Sequence, residues 1–178
     1  MSCYISEGYT LDCRNASLGG LKAIWILGDS GNTISSTTQD ADGKYTSISG
    51  TGTMYKFELA KASSSFEEAI SVNTTAQSVA FTPTLTLSFP KLDQALRNTF
   101  FELVKQNEIY AVVLDNNGRY WLVAPENGLS ADSGSMVSGL GLTDLNGVNA
   151  LVLAGGEPSP SAEIDDISTA FAGITFNA

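Results

Sequence analysis

Between Val79 and Phe89 the chain alternates with a period of two. Val79, Phe81, Leu85, Leu87 and Phe89 form one row, and Thr82, Thr84, Thr86 and Ser88 form the other. Successive side chains of an extended chain point to opposite faces, so this pattern predicts a strand with one apolar face. Pro83 inside it has no N–H to give to a neighbour, which predicts an edge position or a bulge. Turn residues recur at short spacing on either side, the rhythm of a β-rich chain.

Leu21 to Leu27 reads as a short strand. Lys44 to Ser49 and Met54 to Leu59 read as two strands parted by Gly50-Thr51-Gly52, and Phe66 to Val72 as another. A single amphipathic helix is expected over about 90–106. Ser88 is its candidate N-cap, Pro90 stands in its first turn and Lys105 in its last. Leu92, Ala95, Leu96, Thr99, Phe100, Leu103 and Val104 make its apolar stripe. A hairpin follows, Ile109 to Leu114 and Tyr120 to Ala124, turning at Asp115-Asn116-Asn117-Gly118. Short strands are expected around Ser133 to Ser138, Ala150 to Leu153 and Phe171 to Phe176. Flexible loops are expected at about 30–43 and 128–147, with a mobile connection at about 155–166. With 178 residues and no boundary signal, the chain reads as one domain over 1–178.

The candidate chemistry is sparse. Histidine is absent, which removes the commonest general base and metal ligand together. Cys3 and Cys13 are the only cysteines; no signal segment opens the chain, so two reduced thiols are expected and the sequons at Asn15 and Asn73 carry no weight. Thr38-Gln39-Asp40-Ala41-Asp42-Gly43 lacks the first acid and the closing Glu of a calcium loop, so an Asp-Gly turn is expected. Gly139-Leu140-Gly141 continues to Asp144 instead of a third glycine, which voids a dinucleotide fingerprint. The pairs Glu67-Glu68 and Asp165-Asp166 are neighbours that would point apart in a strand. No catalytic, cofactor-binding or metal residue is assigned, and an enzyme is not expected.

Net charge is −10, and no Lys or Arg follows Arg119. Glu126, Asp132, Asp144, Glu157, Glu163, Asp165 and Asp166 lie in that last stretch. Such a chain is poorly suited to neutralising phosphates or binding anionic lipid.

The order of elements over Lys91 to Leu153 resembles the major tail tube protein of long-tailed bacteriophages. The segments that carry the likeness are LDQALRNTFFELV, IYAVVLDNNGRYWLV, ENGLSADSGS and DLNGVNALVLAGGEPSP. The resemblance implies a mainly β fold, a β-sandwich or partly closed β-barrel with one flanking helix. It also implies assembly with copies of itself into stacked rings of six, strands of neighbours continuing into an inner barrel. The implied partners are itself and other virion tail proteins. DNA passes the lumen without specific binding, no membrane is involved, and the protein resides in the virion tail after assembly in the bacterial host cytoplasm. Acidic side chains then either face the lumen and repel DNA or serve to keep the subunit soluble. Asn32 to Asp42, Ser130 to Leu142 and both chain ends are the expected assembly regions. Two other readings remain: a capsid-decorating, neck or tail-terminator protein, and a carbohydrate-binding or adhesin-like domain using Trp25, Tyr120 or Trp121.

Overall fold

The computed structural model describes Gly8 and residues 17–28, 31–60, 62–91 and 93–177. Cys3, Cys13, the Asn15 sequon, Leu92 and most of the N-terminal assembly region lie outside the described residues.

The fold is mainly β, as expected, with two sheets and two short helices. The first sheet contains β1 (Leu21–Leu27), β2 (Thr33–Gln39), β3 (Tyr45–Glu58), β6 (Tyr110–Asp115), β7 (Tyr120–Val123), β10 (Ala162–Ile164) and β11 (Phe171–Asn177). Its pairings run β1 to β6, β6 to β7, β7 to β10, β10 to β3, and from β3 back to β1. Five strands therefore close on themselves as a small barrel, which removes their free edges. The second sheet is antiparallel, in the order β4 (Ser65–Asn73), β5 (Ser78–Phe89), β9 (Asn146–Ala154), β8 (Ser130–Ser138).

β3 is the spine of the barrel. The glycines expected to divide it lie inside one continuous strand instead. Along one edge it meets β2 at residues 45–51 and then β1 at residues 55–58. On the other it meets β10 at Tyr45 and β11 from Ile48 to Tyr55. Crowding on both edges needs close backbone approach. A β-carbon on Gly50 would strike the Thr33 carbonyl, and one on Gly173, at φ 79°, would strike the Gly50 carbonyl. Glycine here marks a tight corner rather than a break.

Two cores result from one set of walls. Ala23, Trp25 and Leu27 of β1 point into the barrel with Tyr45, Ile48, Met54, Val112, Leu122 and Ile174. Ile24 and Ile26 point the other way, joining Ala111, Val113 and Val123 against Leu85, Leu87, Phe89, Leu151 and Leu153 of the second sheet. β1 and β6 are thus buried on both faces, which explains their nearly unbroken apolar runs. Each fully buried aliphatic side chain contributes about 2 kcal/mol through burial.

Helix α1 spans Gln94–Leu103, shorter than expected, and its N-cap is Asp93 rather than Ser88: the Asp93 carboxylate accepts from Leu96 N at 2.7 Å. Ser88 belongs to β5, where its hydroxyl accepts from Ala150 N at 3.2 Å. Among the described residues of the predicted stripe, only Phe100 and Leu103 are buried, with Leu96 half-buried. Phe100 fixes the helix to the second core, its ring centroid 4.9 Å from Phe89 and 6.2 Å from Phe57. Lys105 follows the helix and pairs with Glu102 at 3.2 Å. A second helix, α2 (Ile167–Ala170), is one turn capped by Asp166.

Pro83 corrects another expectation. β5 is an interior strand, flanked by β4 and β9. Pro83 nevertheless sits just past Ala154, where β9 ends, and its carbonyl accepts from Gly155 N at 3.3 Å. The missing N–H falls in the gap between the Thr84–Ala154 pair and the Phe81–Glu157 bridge.

Candidate assembly surfaces

The residues weighed for chemistry are spread apart. Asp40 takes backbone N–H bonds from Asp42 and Lys44, both at 2.9 Å, as a turn residue does. Asp144 accepts from Gly141 N at 2.6 Å, closing the glycine loop on itself. Glu67 is exposed, while Glu68 accepts from both the N–H and the hydroxyl of Ser161, each at 2.9 Å. Asp166 caps α2 through Ser168. Among the described residues, no three His, Cys, Asp or Glu side chains are grouped as metal ligands.

The aromatic candidates face inward. Trp25 lies inside the barrel against Tyr120, ring centroids 5.7 Å apart. Trp121 packs on the second core, and its Nε1 donates to Asp115 at 3.4 Å.

The acids after Tyr120 have internal tasks in five cases of seven: Glu126, Asp144, Glu157, Glu163 and Asp166. Glu157 is the one that sequence reasoning passed over. It is 2% exposed, and its carboxylate accepts from Asn127 N at 2.8 Å and Glu126 N at 3.2 Å. Its own backbone exchanges two 2.8 Å bonds with Phe81. One residue thus fastens the β7–β8 turn to the second sheet. Burial pushes its carboxyl above the usual range, against the backbone N–H bonds that favour the ionised form. Tyr45 is also pushed up, by burial first and then by the nearby Glu126 and Glu157 charges.

What the molecule offers outward is sheet edge. The segment expected as a loop at 30–43 contains strand β2, and that at 128–147 contains β8, which takes in the strand expected around Ser133 to Ser138 and begins three residues earlier. Both are mostly exposed, and among the described residues each pairs on one side only, β2 with β3 and β8 with β9. β4 is the opposite edge of the second sheet. Open edges carry unpaired N–H and C=O groups ready for another strand.

The β4–β5 hairpin also outruns its core. Phe66 pairs with Leu85 over the second core, but Ile70 pairs with Phe81 and Val72 with Val79 beyond it, on the same face. Ile70, Val72 and Val79 are 66%, 64% and 49% exposed. The turn at 74–77 is closed by Asn73, whose side-chain oxygen accepts from Thr75 N and Ala76 N. At the far end of the sheet, an apolar groove of about 280 Å³ opens between α1 and β8.

No protein-family model matches the chain, and neither a curated protein nor a solved structure matches it. Fold and surface together define a class only: a mainly β, two-sheet domain with open sheet edges.

Proposed function

We propose that this chain is a virion structural subunit of the tail-tube kind, assembling with copies of itself into stacked rings around a channel for DNA. The observation that carries the reading is the four-stranded sheet, whose two outer strands, β4 and β8, have no partner on their outer sides among the described residues. Neither edge strand contains Lys or Pro, two devices that normally block edge-to-edge pairing. A β4 edge meeting a neighbour's β8 edge extends one sheet through successive copies. Such a head-to-tail contact closes a ring when the rotation permits. The helix-then-hairpin order that resembles tail tube proteins supports the same reading.

In this arrangement the face of the sheet turned away from the core lines the channel. Thr84 and Thr86, which alternate with buried Leu85 and Leu87, belong to that face, as does Glu67 opposite Thr84. Hydroxyls with an occasional acid supply no cation to neutralise DNA phosphates.

Electron microscopy of the purified protein over time and concentration tests the proposal. Stacked rings or long hollow fibres are expected. Single rings or trimers point to a neck, terminator or decorating protein, and a persistent monomer overturns assembly altogether. The carbohydrate reading has less support, because Trp25, Tyr120 and Trp121 are at least partly buried.

A further inference from the structure

The β4–β5 arm and the α1–β8 groove are complementary, yet one copy cannot bring them together. The groove is lined by Phe100, Val104, Ala131, Met136, Val148 and Leu151 among others. Leu151 is level with Leu87 of β5, whereas Val79 lies eight positions further along the same strand. At the rise of an extended chain that is about 26 Å. The arm's apolar side chains therefore point into solvent at one end while the groove stands open at the other.

We infer that the arm of one copy seats in the α1–β8 groove of the next copy. This rests on the reading that the chain assembles with itself, and adds a contact made by a sheet face rather than by the β4 and β8 edges.

Charge identifies the occupant. From Ala69 to Pro90 there is no charged residue. The groove lining contains one ionisable side chain, Asp132. Copies that each carry −10 repel, and they meet at least cost where acid is scarce. Size is compatible as well: past the Ile70–Phe81 pair the arm projects about 15 Å, and the groove has only to cover the one face that carries Ile70, Val72 and Val79. A lipid surface fits less well. The arm's leading end is the polar turn Asn73-Thr74-Thr75-Ala76-Gln77, and the arm has no Lys or Arg to meet anionic headgroups.

The test uses two full-length variants altered at exposed positions. I70D/V72D disables the arm, and V104D/M136D disables the groove. Matching thermal unfolding curves check that both variants fold. Sedimentation velocity should show each variant alone losing assembly, or needing about a hundredfold more protein for it. An equimolar mixture should recover assembly that neither variant shows alone, because the good arm of one meets the good groove of the other. As a second measurement in a Cys3→Ser, Cys13→Ser background, V72C protein should cross-link to M136C protein.

The outcomes separate the two ideas. If wild type stays monomeric, both fall. If wild type and both variants assemble alike, the arm inference falls and the assembly reading stands. A defect in the arm variant alone, with V72C cross-linking to itself, replaces the inference with a symmetric arm–arm contact. Arm-dependent flotation with phosphatidylcholine vesicles overturns it in favour of a membrane.

Discussion

Glu157 is a buried acid that ties two distant parts of the fold together. Its carboxylate holds the N–H groups of Glu126 and Asn127, and its backbone pairs with Phe81. Glu157→Ala leaves two turn donors without their acceptor and should cost about 2–4 kcal/mol in urea denaturation. Glu157→Gln keeps an acceptor and removes the buried charge. Because burial raises the folded-state pKa above the usual value of 4.5, the folded protein binds the proton more tightly than the unfolded chain. That contribution is fully present below the unfolded pKa and is lost as pH rises through the raised one. The stability of wild type relative to Glu157→Gln should therefore fall from the acidic side of that window and level off above it. A flat difference across denaturation curves at several pH values contradicts this. The sequence offers no signal for the role, since the partners are backbone groups 30 and 31 residues away.

At the scale of elements, α1 is held by few contacts. Phe100 meets Phe57 and Phe89, and only Leu103 and half-buried Leu96 help. Phe100→Ala should cost about 3–5 kcal/mol, read as a lowered urea midpoint, with Phe100→Leu recovering most of it. Elements with a buried face were legible in the sequence: Leu21–Leu27 forms β1 residue for residue, and the Asp115–Gly118 hairpin falls where its turn chemistry placed it. β2 was hidden because periodicity reports burial, and this edge strand has almost none; of β8, the stretch Ser133 to Ser138 was expected as a strand and its start at Ser130 was not. Ser88 was expected as the helix cap on local grounds alone. The bonds it makes to Ala150 and Ser64, distant in sequence, commit it to the strand and leave the cap to Asp93. Of the candidate surface, the apolar character of Val79 and Phe81 was plain. That Val79 stands in solvent was not, since alternation cannot say where a core ends.

At the scale of the whole molecule, the proposed channel surface makes a prediction about DNA. Placing T84K/T86K on the outward face of the second sheet adds two cations per copy where wild type has hydroxyls. Tubes should still form, and they should now retain double-stranded DNA in a salt-sensitive manner, measured by co-sedimentation. Tubes that ignore DNA despite the lysines place this face elsewhere. Beyond charge, the double burial of β1 and β6 has a mechanical meaning. These strands are a party wall between two rooms, and neither room stands without it. In the proposed assembly, a pull on the second sheet from a neighbouring copy would pass through that wall into the closed barrel. The barrel then acts as a buttress, so strain at an edge is shared by the entire subunit and does not peel away one strand at a time.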